Sequence, residues 1–394
     1  MGNPLQALLE LPEYEKSARG LQYTPREIYQ QPETWKTTYQ RCFDLAPELK
    51  QVLRRAGIGS DHPPIVYLLG AGTSDYIGRA LAGLLRRRWK TDVWAIASTT
   101  MLTEQESVHD PAKNYLWISF SRSGDSPEGV ALLQRTLQHH PNVQHLIVSC
   151  NRDGKMAELC RRNPDRSYAI VLEEATNDRG LAMTSSFTNM LVAGHCLAHL
   201  SGLSEYGDIL DQMIDVGTRF LPLASEAAAS IADQECARGC FVGTGPLRAA
   251  AEECALKLVE LTAGNVVTVS ESALGLRHGP MSVIDSASLF VALLSSDARR
   301  RAYELDLLEE ISRKDLGQLR VAIAADGVKD FHSLVDYPLS LNCPAGFCDD
   351  YRPPLDIIFG QVLGLSASLK CGLMPDCPSP GNTITRVVAP IRIH

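Results

Sequence analysis

From position 65 onward, short apolar runs alternate with helix-length amphipathic segments. The runs at 65–69, 93–97, 115–120, 145–149 and 167–172 predict strands of a parallel sheet covered on both faces. An Ala- and Leu-rich helix at 188–200 closes this half. A long helical stretch at 206–233, interrupted at Pro222, then leads to a second series. There Phe241-Val242-Gly243-Thr244-Gly245-Pro246 mirrors Leu68-Leu69-Gly70-Ala71-Gly72-Thr73, each opening a helix after an apolar run. Strands follow at 266–269, 288–293, 319–323 and 337–341, with a last helix at 355–369. The fold class is therefore α/β: two similar domains in tandem, each a parallel sheet with helices on both faces. Residues 1–60 are broken by Pro12, Pro25, Pro32 and Pro47 and predict a helical arm, not a core. The chain divides into that arm, a first domain at 61–204, a helical linker at 205–234 and a second domain with a tail at 235–394.

The turn Ser121-Arg122-Ser123-Gly124-Asp125-Ser126 follows the 115–120 strand and precedes a helix beginning at Pro127. Backbone N–H groups at a helix N-terminus are unpaired and carry the positive end of the macrodipole. Hydroxyls from Ser121, Ser123 and Ser126 make this a cradle for an anion such as phosphate. Its plainer alternative is a Ser-rich loop in which Ser126 merely caps the helix ahead of Pro127. The second repeat offers Leu294-Ser295-Ser296-Asp297-Ala298-Arg299, without the glycine or the third hydroxyl. One phosphate site per chain follows, in the first domain.

Composition excludes several classes. The 394 residues carry a net charge of -8 with scattered basic residues, which argues against nucleic acid as the main partner. Arg86, Arg87 and Arg88 read as a solvated helix end. No apolar run approaches a membrane span, and nothing at the N-terminus marks the chain for secretion. The eleven cysteines form no C-x-x-C pair and read as reduced thiols of a cytoplasmic protein. Cys236 and Cys240 are spaced for one helical turn, but no partner cluster completes a zinc site, so no metal is expected.

The loop Gly70-Ala71-Gly72-Thr73-Ser74-Asp75 lacks the third glycine of a dinucleotide fingerprint, because Asp75 stands there. That spacing argues against NAD, and Gly72, Thr73 and Ser74 instead suit a phosphorylated metabolite at the same sheet edge as the serine turn. On a helix at 249–263, Glu253, Lys257 and Glu260 are spaced i, i+4, i+7 and lie within about 60° of one another on one face. They are either an acid-base stripe or a surface ion pair worth about 0.2 to 0.5 kcal/mol. His278 stands in the Gly/Pro-bounded loop Arg277-His278-Gly279-Pro280, either as plain polar surface or as a proton shuttle for sugar oxygens.

Together these pieces resemble the sugar isomerase (SIS) domain proteins, from about Ile65 to the end of the chain. The resemblance implies that Gly72-Thr73-Ser74 and the turn of Ser121, Arg122, Ser123 and Ser126 bind a sugar phosphate. Glu253, Lys257 and Glu260 are similar to the catalytic helix of the fructose-6-phosphate-aminating synthase. Leu276-Arg277-His278-Gly279-Pro280 is similar to its ring-opening loop, whose histidine reaches the neighbouring subunit, which implies a homodimer sharing His278. Thr184 and Ser185 fall at further ligand contacts of the family. The synthase's sugar-binding lysine is replaced here by Arg386, so a Schiff base at that position is not implied.

The segment from Tyr23 to Trp35, the turn at 122–128 and the tail Asn382-Thr383-Ile384-Thr385-Arg386-Val387-Val388 resemble a narrower group, the AgaS-type proteins of amino sugar catabolism. That resemblance implies conversion of galactosamine 6-phosphate to tagatose 6-phosphate and ammonia, with no metal or redox cofactor. The alternatives are a ketose/aldose phosphate isomerase that releases no ammonia and a non-catalytic sugar-phosphate regulator. The choice between galacto and gluco epimers is not written in these motifs.

Overall fold

A computed structural model describes residues 3–327 and 329–394. The chain forms two compact units. One comprises residues 33–178, 185–210 and 385–394; the other comprises 1–32, 179–184 and 211–384.

Five short helices come first: α1 (Pro4–Leu9), α2 (Glu13–Arg19), α3 (Thr24–Tyr29), α4 (Gln31–Asp44) and α5 (Ala46–Arg55). Prolines start these helices rather than only breaking them, with Pro4, Pro25 and Pro47 in first turns, where no N–H is needed. The segment is more than an arm. Leu5, Leu21, Ile28, Trp35, Cys42 and Leu49 are all buried, in or beside every piece, although α2 itself buries no residue. The Asp376 carboxylate accepts the Tyr23 and Thr24 N–H groups and the Thr24 hydroxyl, fixing the start of α3.

The first sheet runs β1 (Ile65–Gly70), α6 (Thr73–Trp89), β2 (Val93–Ala97), α7 (Ser98–Thr103), α8 (Gln105–Val108), β3 (Tyr115–Ser121), α9 (Pro127–His139), β4 (Val143–Ser149), α10 (Lys155–Arg162) and β5 (Ser167–Val171). All neighbours are parallel, in the order β2-β1-β3-β4-β5. Central strands buried along almost their whole length explain the continuous apolar runs. Arg86, Arg87 and Arg88 form the exposed last turn of α6, where cations suit the macrodipole. The wholly buried α11 (Ser185–Ala198) follows.

The predicted interruption at Pro222 does not occur: α12 (Leu203–Ala232) continues through it. Buried Phe220, Leu221 and Ala224 on both sides supply packing that offsets the roughly 3 kcal/mol an internal proline costs.

The second series is β6 (Arg238–Val242), α13 (Pro246–Leu261), β7 (Val267–Glu271), β8 (Ser288–Leu294), α14 (Ala298–Arg313), β9 (Leu319–Ala324), β10 (Tyr337–Ser340) and α15 (Pro353–Lys370). Its parallel order, β10-β9-β8-β6-β7, is the order of the first sheet repeated strand for strand. The repeat extends to single residues. Gly72 caps α6 at φ 55, ψ -128, and Gly245 caps α13 at φ 62, ψ -131, a conformation closed to side chains bearing a Cβ. Cys236 and Cys240 are not one helical turn apart, since Cys240 lies within β6. Among the described residues, no helix is long and apolar enough to cross a membrane.

Candidate active site

In an open parallel sheet, ligands collect where the strand order reverses, outside the carboxyl ends of the strands. In the first sheet that point lies between β1 and β3, whose following loops are the glycine loop and the serine turn. The Ser121 hydroxyl accepts the Gly124 N–H at 3.1 Å, and the Ser123 hydroxyl accepts the Asp125 N–H at 3.2 Å. Each oxygen is therefore fixed by the backbone while its single proton stays available to donate outward. Ser126 occupies the N-cap of α9, yet its side chain makes no capping bond, which sets aside the plain-cap alternative. The turn is braced from below: Asn151 donates to the Ser123 carbonyl at 2.8 Å and the Lys155 N–H to Asp125 at 3.0 Å. Gly124 has φ 64, and a Cβ there would stand 3.3 Å from the Ser149 hydroxyl.

Thr73 and Ser74 are the buried first residues of α6. Asp75 follows, and its carboxylate meets Arg79 at 2.7 Å. Burial pushes the Asp75 carboxyl above its ordinary value, and Arg79 only partly restores it.

Ser185 begins α11, where the buried Asp178 carboxylate accepts the Ser185 and Ser186 N–H groups at 3.0 and 2.8 Å and the Ser186 hydroxyl. The N-terminus of that helix already has an internal anion. Thr184, in the other unit and fully buried, turns its carbonyl to Gln361. Arg386 donates through Nε to the Asp178 carbonyl at 2.5 Å and through Nη2 to Asn177 Oδ1 at 2.6 Å. Its own carbonyl accepts from Arg122. One chain of hydrogen bonds thus joins the serine turn, the C-terminal tail and the cap of α11.

The matching turn of the second sheet is filled from within. Asp349 accepts the Ser295 hydroxyl, the Ser296 N–H at 2.8 Å and Arg300 at 3.3 Å, while Glu304 accepts the Ser295 N–H at 2.7 Å. The fully buried Arg352 neutralises this group through Asp349 at 3.4 Å and Asp356 at 2.7 Å. Two carboxylates take up the donors an outside anion would need.

The stripe on α13 is not a surface pair. Glu253 and Lys257 are fully buried and 3.3 Å apart, while Glu260, with 24% of its side chain exposed, takes a second short contact from Lys257. Burial opposes the Lys257 ammonium, but Glu253 and Glu260 outweigh it and hold its pKa above the ordinary value. The result is one buried cation shared by two carboxylates, of which only Glu260 reaches solvent. His278 is exposed at the end of a short helix, Gly275–His278, that buries Leu276, next to Arg277, which pairs with Glu310 at 2.8 Å. Among the described residues, no group of three or more His, Cys, Asp and Glu could hold a metal.

Sequence reasoning missed Asn177, Asp178, Asp349 and Arg352. Asp178 had a signal, an acid seven residues ahead of a helix beginning at Ser185, and Arg352 had another, acids three residues before and four residues after it; Asn177 is tied to Arg386 and Asp349 to Ser295 only by tertiary structure.

No family model matches the chain. The chain is 34% identical to the D-galactosamine-6-phosphate deaminase AgaS of Escherichia coli O157:H7, over 94% of this chain and 95% of that protein. Among solved structures, the tagatose-6-phosphate ketose/aldose isomerase from Escherichia coli matches with a TM-score of 0.84 and 30% identity, covering 94% of this chain and 96% of that one. The C-terminal domain of glucosamine-fructose-6-phosphate aminotransferase from Francisella tularensis shares the fold, with a TM-score of 0.71 at 19% identity, covering 89% and 96%. With a third of positions identical across nearly the whole of both chains, this protein belongs to the AgaS family of tandem sugar isomerase domain proteins.

Proposed function

We propose that this protein converts D-galactosamine 6-phosphate to D-tagatose 6-phosphate and ammonia, as a cytoplasmic homodimer. The buried Glu253-Lys257-Glu260 group carries this reading, because a sugar-phosphate regulator needs the serine turn but no buried acid-base set. In this reading, residues 61–204 bind the phosphate and 235–394 supply the chemistry, with 205–234 as linker.

The phosphate is held by Ser121, Ser123, Ser126, Thr73 and Ser74, with Gly72 allowing close approach and Arg122 adding charge. Thr184 and Ser185 lie among the further contacts, and Arg386 fastens Arg122. His278, offered to the neighbouring subunit, moves the proton that opens the ring. Glu260 takes the proton from C2, leaving an enolamine with C1 as its hydroxyl-bearing carbon. Return of that proton to C1 gives an imine at C2. Water adds to the imine carbon, the C–N bond breaks and ammonia leaves, so a ketose remains. Lys257 stabilises the negative charge that develops during proton removal, and Glu253 holds Lys257 in place. The electrons move within the sugar, so the chemistry calls for no redox group.

A second reading, ketose/aldose isomerisation without loss of nitrogen, is favoured by the likeness to the Escherichia coli tagatose-6-phosphate ketose/aldose isomerase at 30% identity. One assay separates them: galactosamine 6-phosphate is given to the purified protein, and ammonia and ketose phosphate are followed together. Equal amounts are expected. Ketose interconversion without ammonia would assign the plain isomerase, and sugar-phosphate binding without turnover the regulator. Glu260→Gln should abolish turnover while keeping sugar-phosphate affinity; full activity in that variant would remove Glu260 from the mechanism.

A further inference from the structure

A cavity of about 410 Å³ lies in the unit that carries α13, lined by none of the site residues above. It opens at the amino ends of the second sheet, where Arg238 begins β6 and Val266 precedes β7. The Gly245 turn after β6 and the Ser295 turn after β8 lie at the opposite, carboxyl edge. Its walls are Ile231 of α12, Leu258 of α13, Leu289 of β8 and Leu363 of α15, each 2% exposed. A space of this size is far above the water-sized voids of a packed interior and falls in the range of small-molecule sites, about 300 to 1,000 Å³.

The mouth decides the chemistry of the occupant. Arg238 is already paired with Asp285 at 2.7 Å and Lys370 with Asp233 at 2.9 Å, so neither cation calls for an anionic ligand. The other polar groups of the lining are the Glu235 carboxylate, which repels an anion, the Asn265 amide and the Cys236 and Cys371 thiols. Apolar walls make burial of a charged group costly. We propose that the cavity binds a small, uncharged, largely apolar molecule of one or two fused rings, with a single hydrogen-bonding group directed at Asn265.

The site has reach into the chemistry. Leu258 stands on α13 about 100° from Lys257 and about 160° from Glu260, so an occupant presses on the far side of the helix that carries them. The binding itself does not depend on what reaction those residues perform.

The test uses the full chain and 2-naphthol as the probe. Calorimetry should show one saturable site, and 2-naphthol should slow iodoacetamide modification of Cys371 several-fold while leaving the exposed Cys348 and Cys377 unchanged. Ala367→Phe fills the cavity and should weaken binding at least tenfold. Cys371→Trp, at an exposed position on the rim, should do the same without touching the core. Both variants are checked for native circular dichroism; if Ala367→Phe fails to fold, Cys371→Trp decides. Non-saturable uptake, equal protection of all three thiols, or folded variants that bind as tightly as the native chain would each overturn the proposal.

Discussion

The Ser295 hydroxyl donates to the Asp349 carboxylate, so the second anion turn of this chain holds an anion of its own. Asp349→Ala strands the Ser296 N–H and leaves the buried Arg352 with Asp356 as its remaining carboxylate partner. We expect a loss of about 2 to 4 kcal/mol in denaturant unfolding. An oxyanion that binds the vacated turn stabilises the native state by mass action. Sulfate should therefore raise the Tm of Asp349→Ala more than that of the native protein; equal shifts would show that the emptied turn accepts no anion.

Removing the cation of the α13 group should cost more than removing its exposed carboxylate. Lys257→Met removes the cation 3.3 Å from the fully buried Glu253 carboxylate, a loss of roughly 3 to 5 kcal/mol. Glu260→Gln keeps the Lys257–Glu253 pair and should cost about 1 kcal/mol. Urea unfolding of the two variants ranks them, and a reversed order would mean that Glu253 does not need Lys257 to be buried.

Acid should destabilise the first unit through His145. The ring is buried in β4, edge-on to Trp117 at 5.7 Å, and burial, followed by the charges of Arg166 and His140, pushes its pKa down to about 3. In the unfolded chain the ring takes up its proton near pH 6.5. Between those values the unfolded state binds more protons, so stability rises with pH and is lost as pH falls, by up to about 1.4 kcal/mol per pH unit. His145→Phe should flatten the stability curve between pH 6 and 4. An unchanged slope would assign the acid sensitivity to other groups, such as His109 and His140, whose values burial also lowers.

Arg386 ties the tail to the serine turn, so Arg386→Ala should act on substrate capture rather than on chemistry. A rise in KM of about tenfold with kcat within about threefold is the expected signature of lost uniform binding. A matching fall in kcat with unchanged KM would place the guanidinium in the transition state instead.

Local rules made much of this molecule legible. The apolar runs ending at 120 and 149 became β3 and β4 within two residues at each end, because buried parallel strands need continuous apolar sequence. The stripe of Glu253, Lys257 and Glu260 followed from helical periodicity alone, and both ion pairs formed. Pro222 was misread because propensity yields to packing on both sides of a helix.

The sequence by itself determined two repeats of one α/β pattern, a serine turn in the first and a charged stripe in the second. These rest on spacing within a few residues, which helix and turn geometry govern. Tertiary structure decided what each feature is chemically. Asp349 fills the second turn from 54 residues beyond Ser295, and Arg386 reaches Asp178 across 208. Lys257 is buried because α15 packs so closely on α13 that a Cβ at Gly364 would lie 2.9 Å from the Lys257 carbonyl. Neutralisation and desolvation are properties of everything around a group, and long-range contacts set them.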